Sequence, residues 1–166
     1  MYSCLNINLD NANAVYFGTD TAINGATMET TQGRMFITFN DYQRILGLIE
    51  FASLRNKTPE TVNQLMHDLK MAKMLSQENI SRDIVTMNSR VLLRDVSSGK
   101  SIDITITYPQ DADNINRKIS VFTPIGHALL GKQVGDIVSW KVPGGIGKFR
   151  IEKLLYQPEA AGDFHL

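Results

Sequence analysis

The stretch TPIGHALLGKQVGDIVSWKVPGGIGKFRI, Thr123 to Ile151, passes from a helical to an extended period within a few residues. Thr123 suits a helix cap and Pro124 a first turn, where no amide donor is needed; Ala128, Leu129 and Leu130 favour continuation, and Gly131 supplies a left-handed stop. Beyond it Val138, Trp140 and Val142 alternate with Ser139 and Lys141, Pro143 and Gly144 sit where a type II turn needs them, and Phe149 and Ile151 lead a last strand. Lys148, Arg150 and Glu152 then share the opposite, wet face. One short helix set among strands is expected.

The same period runs upstream. Ile102, Ile104, Ile106 and Tyr108 alternate with Ser101, Asp103, Thr105 and Thr107, and a strand over Val91 to Arg94 precedes them. Ser97 to Lys100, with Gly99, provides the turn between the two. Residues 79–166 should therefore form a small antiparallel sheet with one short helix. Tyr156 to Phe164, YQPEAAGDF, has no such period and reads as a tail strapped down by Tyr156, Pro158 and Phe164.

Residues 35–78 follow a different rule. Tyr42, Ile45, Leu46, Ile49 and Ala52 lie on one helical face, and Val62, Leu65, Met66, Leu69 and Ala72 repeat that spacing on a second. Thr58 can cap the second helix and Pro59 fits its first turn. The expectation is an antiparallel helical hairpin, a short coiled coil. Helices of about 13 and 17 residues, at roughly 1.5 Å per residue, give an arm on the order of 20 to 25 Å. Residues 1–34 are rich in Asn, Thr, Ala and Gly and read as a poorly structured extension, although Tyr2, Leu5, Ile7 and Leu9 hint at a short strand or partner-contacting arm. The fold class is α+β.

Composition narrows the function. With 17 basic and 17 acidic residues among 166, and 43% apolar content, the chain can build a core but carries no positive surplus for phosphate backbones. Contact with DNA is expected to be indirect at most. Cys4 is the only cysteine, which excludes an internal disulfide or a cysteine-based zinc site and fits a reducing cytoplasm. No signal sequence or membrane-length apolar run is visible.

Catalytic motifs fail on inspection. GGIGK, Gly144 to Lys148, lacks the first glycine and the hydroxyl of a phosphate loop, since Val142 and Phe149 stand there. His67, His127 and His165 form no metal-type pair and read as solvated or capping residues. No nucleophile elbow surrounds Ser89. Neither a catalytic residue nor a metal or cofactor site is expected.

Four strings give the chain a context: VTMNSRV at Val85 to Val91, TPIGHALLGKQVGD at Thr123 to Asp136, VPGG at Val142 to Gly145, and YQPEAAGDF. In order and spacing they resemble the C-terminal domain of the bacterial Gre-type (GreA/GreB) transcript-cleavage factors and, more closely, that of the polymerase-binding regulators of nucleoside diphosphate kinase. The resemblance implies an FKBP-like domain over residues 79–166 and RNA polymerase as partner, at the rim of its secondary channel. It also implies that Phe122, Thr123, Pro124 and Ile125 form the polymerase-binding loop, with Thr123 in place of the usual serine and Phe122 in place of a polar residue.

Gre factors carry a much longer hairpin, whose acidic tip helps to hold a magnesium ion. The tip here reads Leu54, Arg55, Asn56, Lys57, Thr58, Pro59, Glu60, with a lone carboxylate beside two cations. Hard divalent cations usually need more than one carboxylate. Arg55 and Lys57 suit either a solvated loop or a contact with an acidic surface. The expectation is a non-enzymatic, monomeric transcription regulator that competes with Gre factors without stimulating cleavage. Two alternatives stand beside it: a peptidyl-prolyl isomerase with a groove lined by Tyr108, Phe122, Trp140 and Phe149, or a cleavage factor in which Glu50 assists Glu60.

Overall fold

The computed structural model describes residues 35–54 and 59–166; the expectations for residues 1–34, and for Arg55, Asn56, Lys57 and Thr58, lie outside the described residues. A short strand β1 (Phe36–Thr38) leads directly into helix α1 (Phe39–Ser53), because the Thr38 hydroxyl accepts a bond from the Asp41 amide at 3.0 Å. Helix α2 (Glu60–Met71) follows, with Ile45 and Ile49 of α1 and Val62, Leu65 and Leu69 of α2 buried, as the two apolar faces require.

The second helix is shorter than its period indicates, at 12 residues against 15 for α1. It ends at Met71 because the chain turns extended as strand β2 (Lys73–Leu75) and pairs in parallel with β1. The Lys73 amide donates to the Met35 carbonyl at 2.8 Å, a partner that a continuing helix would forgo.

The main sheet comprises β3 (Arg90–Asp95), β4 (Ser101–Thr107), β5 (Lys118–Ser120), β6 (Ile137–Val142) and β7 (Gly145–Tyr156), in the order β5-β4-β3-β7-β6. It is mixed rather than wholly antiparallel, since β5 runs parallel to β4. The residues between them, beginning with a 3-10 turn at Pro109–Asp111, carry the chain back to the start of the sheet edge before β5 is laid down. Register shifts in the β3/β7 ladder at Arg90/Val91 and Leu92/Leu93 add local twist. Helix α3 (Pro124–Leu129) is the expected short helix, stopped by Gly131 at φ 74°.

In the hairpin between β6 and β7 the left-handed residue is Gly145, at φ 126°, and not Gly144. A type II turn on Pro143–Gly144 is thereby corrected: the positive φ falls one residue later, where glycine opens the returning strand.

One buried cluster runs through the whole assembly, from Ile45, Ile49, Leu65 and Leu69 to Val91, Leu93, Ile106, Leu129 and Ile151. Trp140 and Phe149 stack at its sheet end, 4.1 Å between centroids and 5° between planes. Phe122 packs against the same cluster and Tyr108 is also buried, with only Tyr108 of the four edging a cleft, so these aromatics do not together line an open apolar groove. The isomerase alternative loses its proposed site.

The segment after Tyr156 has more structure than its sequence indicates. It forms a short helix α4 (Pro158–Ala161) that ends at left-handed Gly162. Gln157 donates from Nε2 to the carbonyls of Ser81 (3.0 Å) and Ile84 (2.8 Å), Tyr156 donates to Asp163 at 2.5 Å, and Gln77 donates to the Phe164 carbonyl at 3.3 Å. Among the described residues no helix is long and apolar enough to cross a membrane.

Candidate functional site

The loop that enters α3 meets the first turn of α2, beside the tip of the helical arm. Thr123 caps the helix, accepting from the Gly126 amide at 3.2 Å, while its hydroxyl donates to the Ser120 carbonyl at 2.7 Å. Thr61 of α2 donates to the Phe122 carbonyl at 3.0 Å. Of the four residues expected to form a binding loop, Pro124 and Ile125 are buried, and only Phe122 and Thr123 keep partial exposure. Any surface offered here is that of Phe122 and Thr123, with Pro124 and Ile125 holding them. Thr123→Ala should lower stability by about 1 kcal/mol through loss of the cap, or roughly 2 to 4 °C of melting temperature, as calorimetry would read.

His127 departs from the solvated or capping role. It is buried, 1% exposed, and its Nε2 lies 2.9 Å from Asp68 Oδ2 on α2. Burial follows from its place on the side of α3 that α2 covers, and the Asp68 carboxylate supplies the partner that a buried ring nitrogen needs. His67 and His165 are exposed.

A third tie joins α1 to the sheet. Asp41 is 4% exposed; its Oδ1 accepts from the Tyr108 hydroxyl at 2.7 Å and its Oδ2 from the Met87 amide at 3.4 Å. Burial, above all, pushes the Asp41 carboxyl up from its ordinary value, against the pull of its bonds from Tyr108, Thr38 and Met87 and of the Arg44 charge. Burial, and then the neighbouring Asp41, likewise raise Tyr108. Asp41, Thr61 and Asp68 thus bind the arm to Tyr108, Phe122 and His127. Sequence reading missed all three, although a lone polar residue at helical spacing from Ile45 or Leu65 was a visible signal.

The outer face of the sheet carries ion pairs. Asp103 bonds both Arg90 and Arg117, and Arg94 meets Glu152 at 3.0 Å. The Arg90 bond holds the Asp103 carboxyl below its usual range. Lys148 and Arg150 are exposed beside this array, as the alternation predicts. Such pairs are worth about 0 to 1 kcal/mol each and make no chemistry.

Ser89 is buried in a turn, its hydroxyl 2.9 Å from that of Thr86, which in turn donates to Glu159 at 2.7 Å. That is a structural network with no base aimed at a free hydroxyl. Glu50 and Glu60 are exposed at the far ends of α1 and α2, and among the described residues no group of three or more His, Cys, Asp or Glu could hold a metal ion.

Comparison with known proteins agrees with this architecture. Residues 80–156 match the family described as transcription elongation factor GreA/GreB, C-terminal. The regulator of nucleoside diphosphate kinase from Escherichia coli K12 is 45% identical over 100 residues, covering 60% of this chain and 74% of that protein. GreA from Thermoanaerobacter pseudethanolicus is 46% identical over 83 residues, 50% of this chain and 53% of that one. Among solved structures, a prokaryotic transcription elongation factor GreA/GreB from Nitrosomonas europaea superposes with a TM-score of 0.66 at 36% identity, covering 74% of this chain and all of that one. With the fold, the sheet motifs and three-quarters of a relative's length in agreement, the chain belongs to the GreA/GreB transcription elongation factor family, with the regulator of nucleoside diphosphate kinase among its relatives.

Proposed function

We propose that the protein is a non-enzymatic, monomeric regulator that binds RNA polymerase at the rim of the secondary channel, competes there with Gre factors, and does not stimulate transcript cleavage. The sheet with α3 serves as the anchor, through Phe122 and Thr123. The arm acts as a short plug. An effect on nucleoside diphosphate kinase, as in the relative's name, would run through transcription.

The observation that carries this reading is the arm itself. At 15 and 12 residues its helices span roughly 22 and 18 Å, and the tip sequence from Leu54 to Glu60 offers one carboxylate. A single exposed carboxylate beside Arg55 and Lys57 is a poor magnesium ligand set. The three ties, at Asp41 near the start of α1, at Asp68 along α2 and at Thr61 beside the tip, favour a fixed placement of the arm against the sheet over a swinging arm.

The test is a backtracked elongation complex given this protein, a Gre factor, or both. Alone it should yield no shortened RNA above background, and in excess it should suppress Gre-stimulated cleavage by mass action. Phe122→Glu should weaken that competition about tenfold, the effect of losing one buried anchor worth roughly 1.4 kcal/mol. Cleavage by the protein alone would overturn the reading of the tip, and failure to compete would overturn the shared docking site.

A further inference from the structure

A cleft of about 1030 Å³ opens between α1, the β3–β4–β5 side of the sheet and the chain after β7. Small-molecule sites typically occupy about 300 to 1000 Å³, so this one has room for a ligand of metabolite size. Among its lining side chains are three cations, Arg44, Arg90 and Lys118, against one acidic side chain, Asp111, with His165 and Leu166 at its edge. In a chain whose 17 basic and 17 acidic residues cancel, that local surplus is an arrangement and not a consequence of composition.

The cations are incompletely neutralised. Neither Arg44 nor Lys118 makes an ion pair among the described residues. Arg90 does pair, but its partner Asp103 also serves Arg117, so one carboxylate faces two guanidiniums. Arg44 lies 5.8 Å from the centroid of the Tyr108 ring, and that ring is held from beneath by the bond to Asp41. Asp41 is the other carboxylate whose charge reaches Arg44, but it is buried and already accepts from Tyr108 and Met87. Leu48 and Tyr156 supply an apolar stretch of the same wall.

Planar guanidiniums in fixed positions suit phosphate oxygens, which they meet by paired, charge-assisted bonds. We propose that the cleft is a binding site for a phosphorylated small molecule of about nucleotide size, its phosphates held by Arg44, Arg90 and Lys118 and its organic body against Leu48 and Tyr156. The site needs no chemistry beyond recognition.

Titration calorimetry on the full chain tests this, with inorganic pyrophosphate, ADP and ATP as probes at low and moderate salt. ADP and ATP should bind more tightly than pyrophosphate, and all three more weakly as salt rises. Lys118→Gln and Arg44→Gln should each weaken ADP binding about tenfold, the loss of roughly one charge-assisted contact. Arg150→Gln, an exposed residue of β7 that does not line the cleft, should change nothing. Lys118 is exposed on a sheet edge, so its variant stays folded even where Arg44→Gln does not. Absence of binding by every probe at millimolar concentration overturns the proposal, as does binding indifferent to Lys118→Gln. Equal affinity for pyrophosphate and ADP overturns the role given to Leu48 and Tyr156.

Discussion

Gly126→Ala is expected to destabilise the protein by about 3 kcal/mol, lowering the melting temperature by roughly 6 to 12 °C. A β-carbon at this position would lie 2.2 Å from the Ser120 carbonyl oxygen and 2.8 Å from the Val121 α-carbon. Both are backbone atoms at the exit of β5, and neither can rotate aside. The Ser120 carbonyl is already the acceptor for the Thr123 amide and hydroxyl, so displacing it disturbs the cap of α3 as well. Gly144→Ala is the control: nothing lies within 4 Å of its β-carbon and its φ is not positive. Differential scanning calorimetry should find the second variant within about 0.5 kcal/mol of the parent. Equal stability of the two variants would mean that β5 and α3 can separate at little cost, and the loop from Phe122 to Ile125 would then lack rigid support.

The contrast between these glycines marks what the chain reveals by itself. Periodicity exposed the two helices, the alternating strands and the short helix after Thr123, because each is a local pattern that burial enforces residue by residue. Gly126 inside TPIGHALL gave no such signal, since its requirement comes from a strand end that only the fold brings near. The parallel pairs were hidden for the same reason: Lys73–Leu75 continues a helical period, and its extended form depends on Phe36–Thr38 lying alongside. Lys118–Ser120 is too short to show a period at all. At the candidate site the cap by Thr123 could be read from the sequence, whereas the burial of Pro124, Ile125 and His127 could not, because α2 covers that side of α3 through Thr61 and Asp68. The cleft cations were equally unreadable, coming from α1, β3 and β5, which are distant in sequence.

Asp41→Ala should cost about 2 to 4 kcal/mol, because it strips the acceptor from two buried donors, the Tyr108 hydroxyl and the Met87 amide, at roughly 1 to 3 kcal/mol each, offset in part by removing a buried charge. Tyr108→Phe should cost less, about 1 kcal/mol, since it deletes one donor and leaves the carboxylate bonded to Met87. Asp41→Asn keeps an acceptor and removes the charge, so it isolates the effect of pH. The folded-state pKa of Asp41 is raised, chiefly by burial, so the folded chain retains this proton to higher pH than the unfolded chain, which releases it near 3.8. The contribution of Asp41 is therefore complete below 3.8 and is lost as pH rises from there through the folded value. Asp95, Asp103 and Asp113, all lowered, act in the opposite sense: their stabilisation is present above 3.8 and fades as the solution is acidified through their folded values. Comparing the parent with Asp41→Asn by urea unfolding from about pH 3 to 7 cancels those three and leaves the contribution of Asp41, with a small share from Glu159, whose carboxyl is raised by burial and slightly by the Asp41 charge. The asparagine variant should gain on the parent as pH rises through this window. A difference that stays flat, or runs the other way, would mean that the bonds from Tyr108 and Met87 favour the carboxylate more than burial opposes it. Asp41 would then tie arm to sheet as a charged anchor whose strength grows with pH.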